Sequence, residues 1–177
     1  MAVSVVQAAE PHPAPPPANA SGGGRPTVHA NVVEFFVEKP DSYATGSLHI
    51  IYSDGAQVVE VLPPEDARKG DAENQVGISS VQLAGDQKTV GWAQTYFIGG
   101  QSYPIPLVLT LYRSGSIIRR IRQGQMIWGW SFLDGAQKAA IVWGLTHGPE
   151  VGDYQLYDVN TGRKLAEAYG DEATQQL

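Results

Sequence analysis

Residues Ile127 to Tyr169 read as one complete four-strand unit, and the residues before them repeat it. No other feature of the 177-residue chain constrains its fold as much. In Ile127–Phe132 the large side chains Trp128, Trp130 and Phe132 fall on alternate positions, which in an extended chain puts them on one face, expected to be buried. Leu133-Asp134-Gly135-Ala136-Gln137-Lys138 comes next and contains Asp-Gly, the dipeptide that most readily supplies the positive φ angles of a tight hairpin. Ala139, Ile141, Trp143 and Leu145 alternate on the returning strand. A Gly/Pro-rich loop from Gly144 to Gly152 leads to a third strand, Tyr154–Asp158. After the Asn160-Thr161-Gly162 turn, Arg163–Tyr169 is a fourth strand in preference to a short helix.

The repeat shows when this unit is laid over the preceding residues. Leu83-Ala84-Gly85-Asp86-Gln87-Lys88 matches Leu133-Asp134-Gly135-Ala136-Gln137-Lys138 at Leu, Gly, Gln and Lys, with an offset of 50 residues between positions 83 and 133. Leu111-Tyr112 and the subsequent Ser114-Gly115 match Leu156-Tyr157 and Thr161-Gly162, with an offset of 45 between positions 111 and 156. A third, partial copy is Ile51-Tyr52-Ser53-Asp54-Gly55 with the apolar strand Gln57–Leu62. Repeats of about 40 to 50 residues with four strands each have the dimensions of β-propeller blades. The Leu-Tyr-Asp-Val-Asn-Thr-Gly-Arg segment at 156–163 resembles the corner between the third and fourth strands of TolB-like and WD-repeat blades, and the resemblance covers roughly Leu48 to Tyr169. The Gly-His and Trp-Asp dipeptides of WD repeats are absent. The Ser-Tyr-Pro-Ile-Pro-Leu run at 102–107 is similar to one in uncharacterised exported bacterial proteins, a likeness that brings no activity with it.

The expectation is therefore an all-β fold of about eleven strands in antiparallel four-stranded blade-like repeats. Three such units fall short of the usual propeller minimum of about four blades. An incomplete propeller-like arrangement, a two-sheet sandwich, or closure by another copy remain as alternatives. Residues 1–27 read as a flexible Pro/Gly-rich segment, with Pro15-Pro16-Pro17 and Gly22-Gly23-Gly24, and residues 28–177 as the all-β repeat domain. The short apolar stretch Ala2–Val6, ending in Val6-Gln7-Ala8-Ala9, looks like the tail of a signal peptide, and a disordered terminus is the other reading. With no cysteine in the chain, this suits an exported protein in the periplasm, outside the cell or on its surface.

A formal net charge of −6 with only 17% charged residues argues against binding nucleic-acid backbones or an anionic membrane surface. No apolar run approaches the roughly 20 residues that span a bilayer, so no membrane insertion is expected. The chain has no Gly-x-Ser-x-Gly elbow, phosphate-cradling Gly-Lys-Ser/Thr loop, His-Glu-x-x-His or Gly-x-Gly-x-x-Gly after a strand. No catalytic residue and no cofactor is expected.

Three sets of residues stand out as candidate sites. Phe97–Pro106 and Gly144–Gly152 both join the second and third strands of their repeats, so they should emerge as neighbours at one end. They present Tyr96, Tyr103, His147 and Glu150, a mixture suited to small ligands, glycans or protein segments, unless Tyr103 merely packs on Pro104 and Pro106. His147, Glu150 and Asp153 recur at three-residue intervals with donors that suit a divalent ion, and a solvated connection is the plainer reading. Val32–Glu38 forms a half-buried strand with Val33, Phe35 and Val37 on one side, and a bare edge formed by Val32, Val33, Phe35 and Val37 would pair with other chains. Arg113, Arg119, Arg120 and Arg122 read as a solvated edge, with Arg119 on the opposite face from Arg120 and Arg122.

These features point first to a non-enzymatic exported binding or interaction protein, whose partner is another protein or further copies of itself. The alternatives are a self-assembling structural subunit, as a homo-oligomer or filament, and a hydrolase or metal-dependent enzyme using the loop-end residues.

Overall fold

A computed structural model describes residues 30–38, 47–60, 74–146 and 152–170. The proposed N-terminal segment, His147 and Glu150 lie outside them. Among the described residues eleven strands run in chain order as β1 (Val32–Val37), β2 (Leu48–Tyr52), β3 (Gln57–Glu60), β4 (Asn74–Leu83), β5 (Thr89–Phe97), β6 (Ile105–Arg113), β7 (Ser116–Arg122), β8 (Met126–Leu133), β9 (Lys138–Gly144), β10 (Asp153–Asp158) and β11 (Lys164–Ala168). A 3-10 turn at Asp134–Ala136 joins β8 to β9, with positive φ at all three residues. The protein is all-β. The strands form a first sheet, β1-β2-β3, a middle sheet, β4-β5-β6-β7, and a third sheet, β8-β9-β10-β11, every pair antiparallel and adjacent in sequence.

The three sheets stack in chain order, and the middle one is buried on both faces. Toward the first sheet, Val90, Trp92 and Tyr112 pack with Leu48, Ile50 and Tyr52. Toward the third, Ala93, Leu109, Leu111 and Ile121 pack with Ile127, Trp130, Ala139 and Ile141. This double coverage explains the almost unbroken apolar run Ile105–Tyr112, because a strand between two layers has no solvent face on which to place polar residues. A sandwich of two sheets is thereby replaced by three layers, none closed into a barrel.

The middle and third sheets are locked at Trp130. A Cβ on Gly91 would lie 2.5 Å from the Trp130 ring, so only glycine leaves room for the indole at this point of β5. The indole N–H donates to the Ser80 carbonyl at 3.0 Å, and the Gln82 side-chain amide donates to the Trp130 carbonyl at 2.7 Å. Both partners come from an irregularity in β4 between Ser79 and Gln82, where Ser80 has φ of 51°. The bulge turns a carbonyl out of its own ladder and toward the neighbouring sheet. Phe132 meets the indole edge-on at 5.0 Å.

At the turn end, Arg113 ties the same two sheets. Its Nε donates to Thr89 Oγ1 at 2.7 Å, Nη1 to Asn160 Oδ1 at 2.9 Å, and Nη2 to the Ala136 carbonyl at 3.3 Å. Asp86 lies 3.8 Å from Nε. Arg113 is thus a bolt between turns of the two repeats, which corrects its reading as part of a solvated edge.

Three side-chain phases differ from the sequence expectation. A shift between Ile127 and Gly129 adds a residue to β8, so Ile127, Trp130 and Phe132 face the core while Trp128 turns to the other face. There it lies over Gly144 and Gly152, whose Cβ atoms would come within 2.7 and 2.9 Å of its ring. Leu145 falls after the end of β9 and is exposed. The repeat is also displaced by one residue. The rung Leu83–Val90–Tyr112 corresponds in pairing and facing to Phe132–Ala139–Tyr157, which moves the offset in the first two strands from 50 to 49 and keeps 45 in the third. The match at Leu83 and Leu133 reflects the turn chemistry and would flip every side chain to the wrong face.

Trp130→Ala removes the ring and leaves the Ser80 carbonyl without its donor, while the Gln82 bond to the backbone carbonyl of residue 130 can persist, and is expected to cost about 3–5 kcal/mol in urea unfolding. Trp130→Phe should cost about 1–3 kcal/mol, because the Ser80 carbonyl loses its donor. Gly91→Ala should be destabilising by a similar amount, since the ring has nowhere to retreat. Unchanged midpoints in all three variants would refute this account of the sheet-to-sheet contact.

Candidate functional site

The first sheet is one strand shorter than the others among the described residues, with β1 at one edge and β3 at the other. The start of β1 is tied to the β4–β5 turn, where the Val32 N–H donates to the Gln87 carbonyl at 2.7 Å and Asn31 Nδ2 to Gln87 Oε1 at 3.2 Å. The remaining edge residues divide in two. Phe35 and Val37 pack against the core, whereas Val33 is 60% and Phe36 44% exposed. A register shift between Val32 and Glu34 causes this, and it takes Val33 off the face it was expected to share with Phe35 and Val37. Val32 is buried, with its N–H already used, and so does not belong to an open edge.

Beside this edge is a cluster that the sequence did not reveal. The β1–β2 register places Phe36 opposite His49, and their rings stack at 4.4 Å with an 8° interplanar angle. His49 Nε2 lies 2.6 Å from Glu38 Oε1, and Gln57 Nε2 lies 2.7 Å from His49 Nδ1. Glu38 also accepts the Ser47 N–H at 3.3 Å. The His49 and Ser47 hydrogen bonds hold the Glu38 carboxyl below the usual carboxylate range. With both ring nitrogens engaged, His49 orients its neighbours and presents a rigid aromatic and acidic surface next to the β1 backbone.

The loop-end residues are partly brought together. Met126, at the start of β8 and paired with Gly144, packs on the cluster of Ile105, Leu107 and Val108, as do Tyr96 and Ile98, so the bases of the two long loops share that cluster. The Tyr96 hydroxyl donates to Gln94 Oε1 at 3.2 Å, and the Arg122 guanidinium lies 5.6 Å from the Tyr96 ring centre. Tyr103 is exposed at 38%. Of the three-residue metal pattern only Asp153 is described, and its carboxylate accepts the Gly170 N–H at 3.2 Å. Among the described residues no group of three His, Asp or Glu side chains is placed to hold a metal.

Strand β7 is the edge of the middle sheet. Its pairing puts Arg120 opposite Thr110 and Arg122 opposite Val108 on one face, and Arg119 opposite Leu111 on the other, as the alternation predicts. Arg119 donates to the Ile118 carbonyl at 2.6 Å and lies along Gly162.

A second polar chain crosses the third sheet. Gln123 Nε2 donates to the Tyr157 hydroxyl at 3.4 Å, Tyr157 donates to Gln155 Oε1 at 2.7 Å, and Gln155 Nε2 donates to Glu167. Lys164 Nζ donates to the other Glu167 oxygen at 2.7 Å. These donors, Lys164 foremost, pull the Glu167 carboxyl down to about 2.

No family model and no curated protein matches the chain. Among solved structures, one titled "Crystal structure of the eukaryotic initiation factor" aligns over 77% of this chain and 42% of its own length, with 9% identity and a TM-score of 0.33, too remote to carry any argument. Among the described residues no helix is long and apolar enough to cross a membrane.

Folding depresses the Glu167 pKa, so its contribution to stability is full above the unfolded value of about 4.5 and is lost as the pH falls toward about 2. Thermal melts between those limits should show a falling midpoint that Glu167→Gln flattens. A profile identical in the variant would show that its hydrogen bonds do not survive in solution.

Proposed function

We propose that the protein is a non-enzymatic interaction module that takes up an extended protein segment along β1. The observation that carries this reading is the edge strand itself, which is anchored at Val32, exposes Val33 and Phe36, and among the described residues belongs to a three-stranded sheet in a stack whose other sheets have four. The Glu38 N–H is spent on the Ser47 carbonyl, and strand alternation then directs the N–H groups of Phe35 and Val37 away from β2. An added strand satisfies such groups, main-chain bonds supplying affinity and side-chain contacts specificity. The exposed Val33 and Phe36 suit apolar side chains, and Glu34 and Glu38 suit a basic one. The segment belongs to a partner protein or to another copy, and the latter makes the protein a self-assembling subunit. Its blade-like repeats serve as the scaffold, as the resemblance to TolB-like and WD-repeat blades implies, and export fits a role in display.

A second reading is supported by the shared packing of Met126, Tyr96 and Ile98 on the cluster of Ile105, Leu107 and Val108, and takes the loop ends, with Tyr96 and the exposed Tyr103, as the binding surface.

Selection of displayed random heptapeptides should enrich extended sequences with alternating apolar residues and a basic residue. Their binding should fall about tenfold or more on Val33→Lys or Phe36→Lys and remain on Tyr103→Ala. Enriched peptides lost only on Tyr103→Ala would move the site to the loops. Failure to enrich any sequence would reject peptide uptake at β1.

A further inference from the structure

The two ends of the sheet stack differ in chemistry. The outer face of the first sheet carries Glu34, Phe36, Glu38, His49, Ile51 and Gln57, a mostly polar set in which Glu38, His49 and Gln57 are joined by their own hydrogen bonds. Such a polar outer layer is how a stack of repeats ends in water. The outer face of the third sheet carries Trp128, Leu133, Ala140, Val142, Tyr154, Leu156, Ala166 and Ala168, with Ser131 beside Ala140 and one Lys138–Asp158 rung at its turn end. Tyr154 is 41% exposed. The corrected repeat says what such a face does elsewhere in the molecule. Ala140, Val142, Tyr154 and Leu156 occupy the positions of Gly91, Ala93, Leu109 and Leu111, which in the middle sheet are buried beneath a further sheet.

We infer that this face packs against the same face of a second copy about a two-fold axis parallel to the strands. The register makes the face self-complementary under that operation. Within one sheet, Lys138 pairs with Asp158, Ala140 with Leu156 and Val142 with Tyr154. Turning a second sheet over about an axis midway between β9 and β10 lays β9 of one copy on β10 of the other without changing level. Lys138, which pairs with Asp134 of its own chain at 2.7 Å, then also faces Asp158 of the mate, Ala140 meets Leu156, and Val142 meets Tyr154, so each small side chain is opposed by a large one and the lysine by an opposite charge. Strand β8 falls over β11, where Trp128 stands against Ala168. The resulting assembly is a stack of two three-sheet halves with apolar ends joined and polar first sheets outermost. It leaves both β1 edges open and is therefore independent of the peptide-uptake reading.

The chain has no cysteine, which makes the contact directly readable. Full-length Val142→Cys and Tyr154→Cys proteins, mixed and treated with a short bis-maleimide, should give a cross-linked pair containing one of each, because face-to-face sheets lie about 10 Å apart. Val142→Cys mixed with Val33→Cys should give none. In sedimentation velocity the unmodified protein should dimerise, and Lys138→Glu should weaken the dimer about tenfold, with Tyr154→Glu weakening it further. A monomer at every concentration would overturn the proposal. So would a dimer indifferent to Lys138→Glu, or one cross-linked through Val33, which would place the contact at the β1 edge. Should Tyr154→Glu fail to fold, the cross-linking result and Lys138→Glu decide between these outcomes.

Discussion

The contact of the Trp130 indole with the bare backbone of Gly91 sets the geometry of this molecule. Two antiparallel sheets approach closely only where one offers a small residue to the large residue of the other, and Gly91 leaves no space for even a methyl group. The polar edge of the indole would be a liability in that position without an acceptor. The β4 bulge at Ser79–Gln82 supplies the Ser80 carbonyl, and Gln82 answers the Trp130 carbonyl in return. Packing and hydrogen bonding thus fix the same rotation of the third sheet on the middle one. Arg113 repeats the constraint at the turn end with three donors aimed at Thr89, Asn160 and Ala136.

With the middle sheet held between two layers, the molecule's variable features are pushed outward. The first sheet is attached through the Val32–Gln87 bond and the apolar faces of Leu48, Ile50 and Tyr52, and its far side is free to carry the Phe36–His49 stack and the Glu38 carboxylate. The third sheet is attached through Trp130, and its far side carries a row of small and large apolar residues. Strand edges and terminal faces are therefore where recognition has room to operate, and the interior is committed to holding the layers in order.

Strand existence and turn positions were legible in the sequence because they depend on local chemistry. Asp-Gly at 134–135 and the alternation in Ala139–Trp143 are examples. Facing was less legible. A single extra residue at Val33 or at Trp128 inverts the face of the residues after it, and nothing in the alternation of Val33, Phe35 and Val37, or of Trp128, Trp130 and Phe132, signals it. The repeat was found through its turns, whose matching letters are displaced by one residue from the matching rungs. Of the candidate loop-end residues, Tyr96 joins the Ile105, Leu107 and Val108 cluster, and His147 and Glu150 lie outside the described residues. His49 was missed because its partners, Phe36, Glu38 and Gln57, depend on the pairing register of β1, β2 and β3, which local alternation does not carry. Arg113 was misjudged for a related reason, since its acceptors Asn160 and Ala136 come from a sheet that its neighbours in sequence do not mention.

Among the described residues every hydrogen-bonded strand pair joins sequence neighbours, and this meander connectivity bears on how the chain reaches its fold. Closing a loop between adjacent strands costs little entropy, so each sheet can be completed from a continuous stretch of chain without waiting for residues far away. Only the docking of whole sheets brings distant residues together. On a ribosome the first sheet is in hand before the middle sheet is finished, and the middle sheet before Trp130 emerges. The Gly91 seat and the Ser80 carbonyl then wait, exposed, until β8 arrives, which makes the interval between synthesis of β5 and β8 the period when the growing chain is most vulnerable to aggregation.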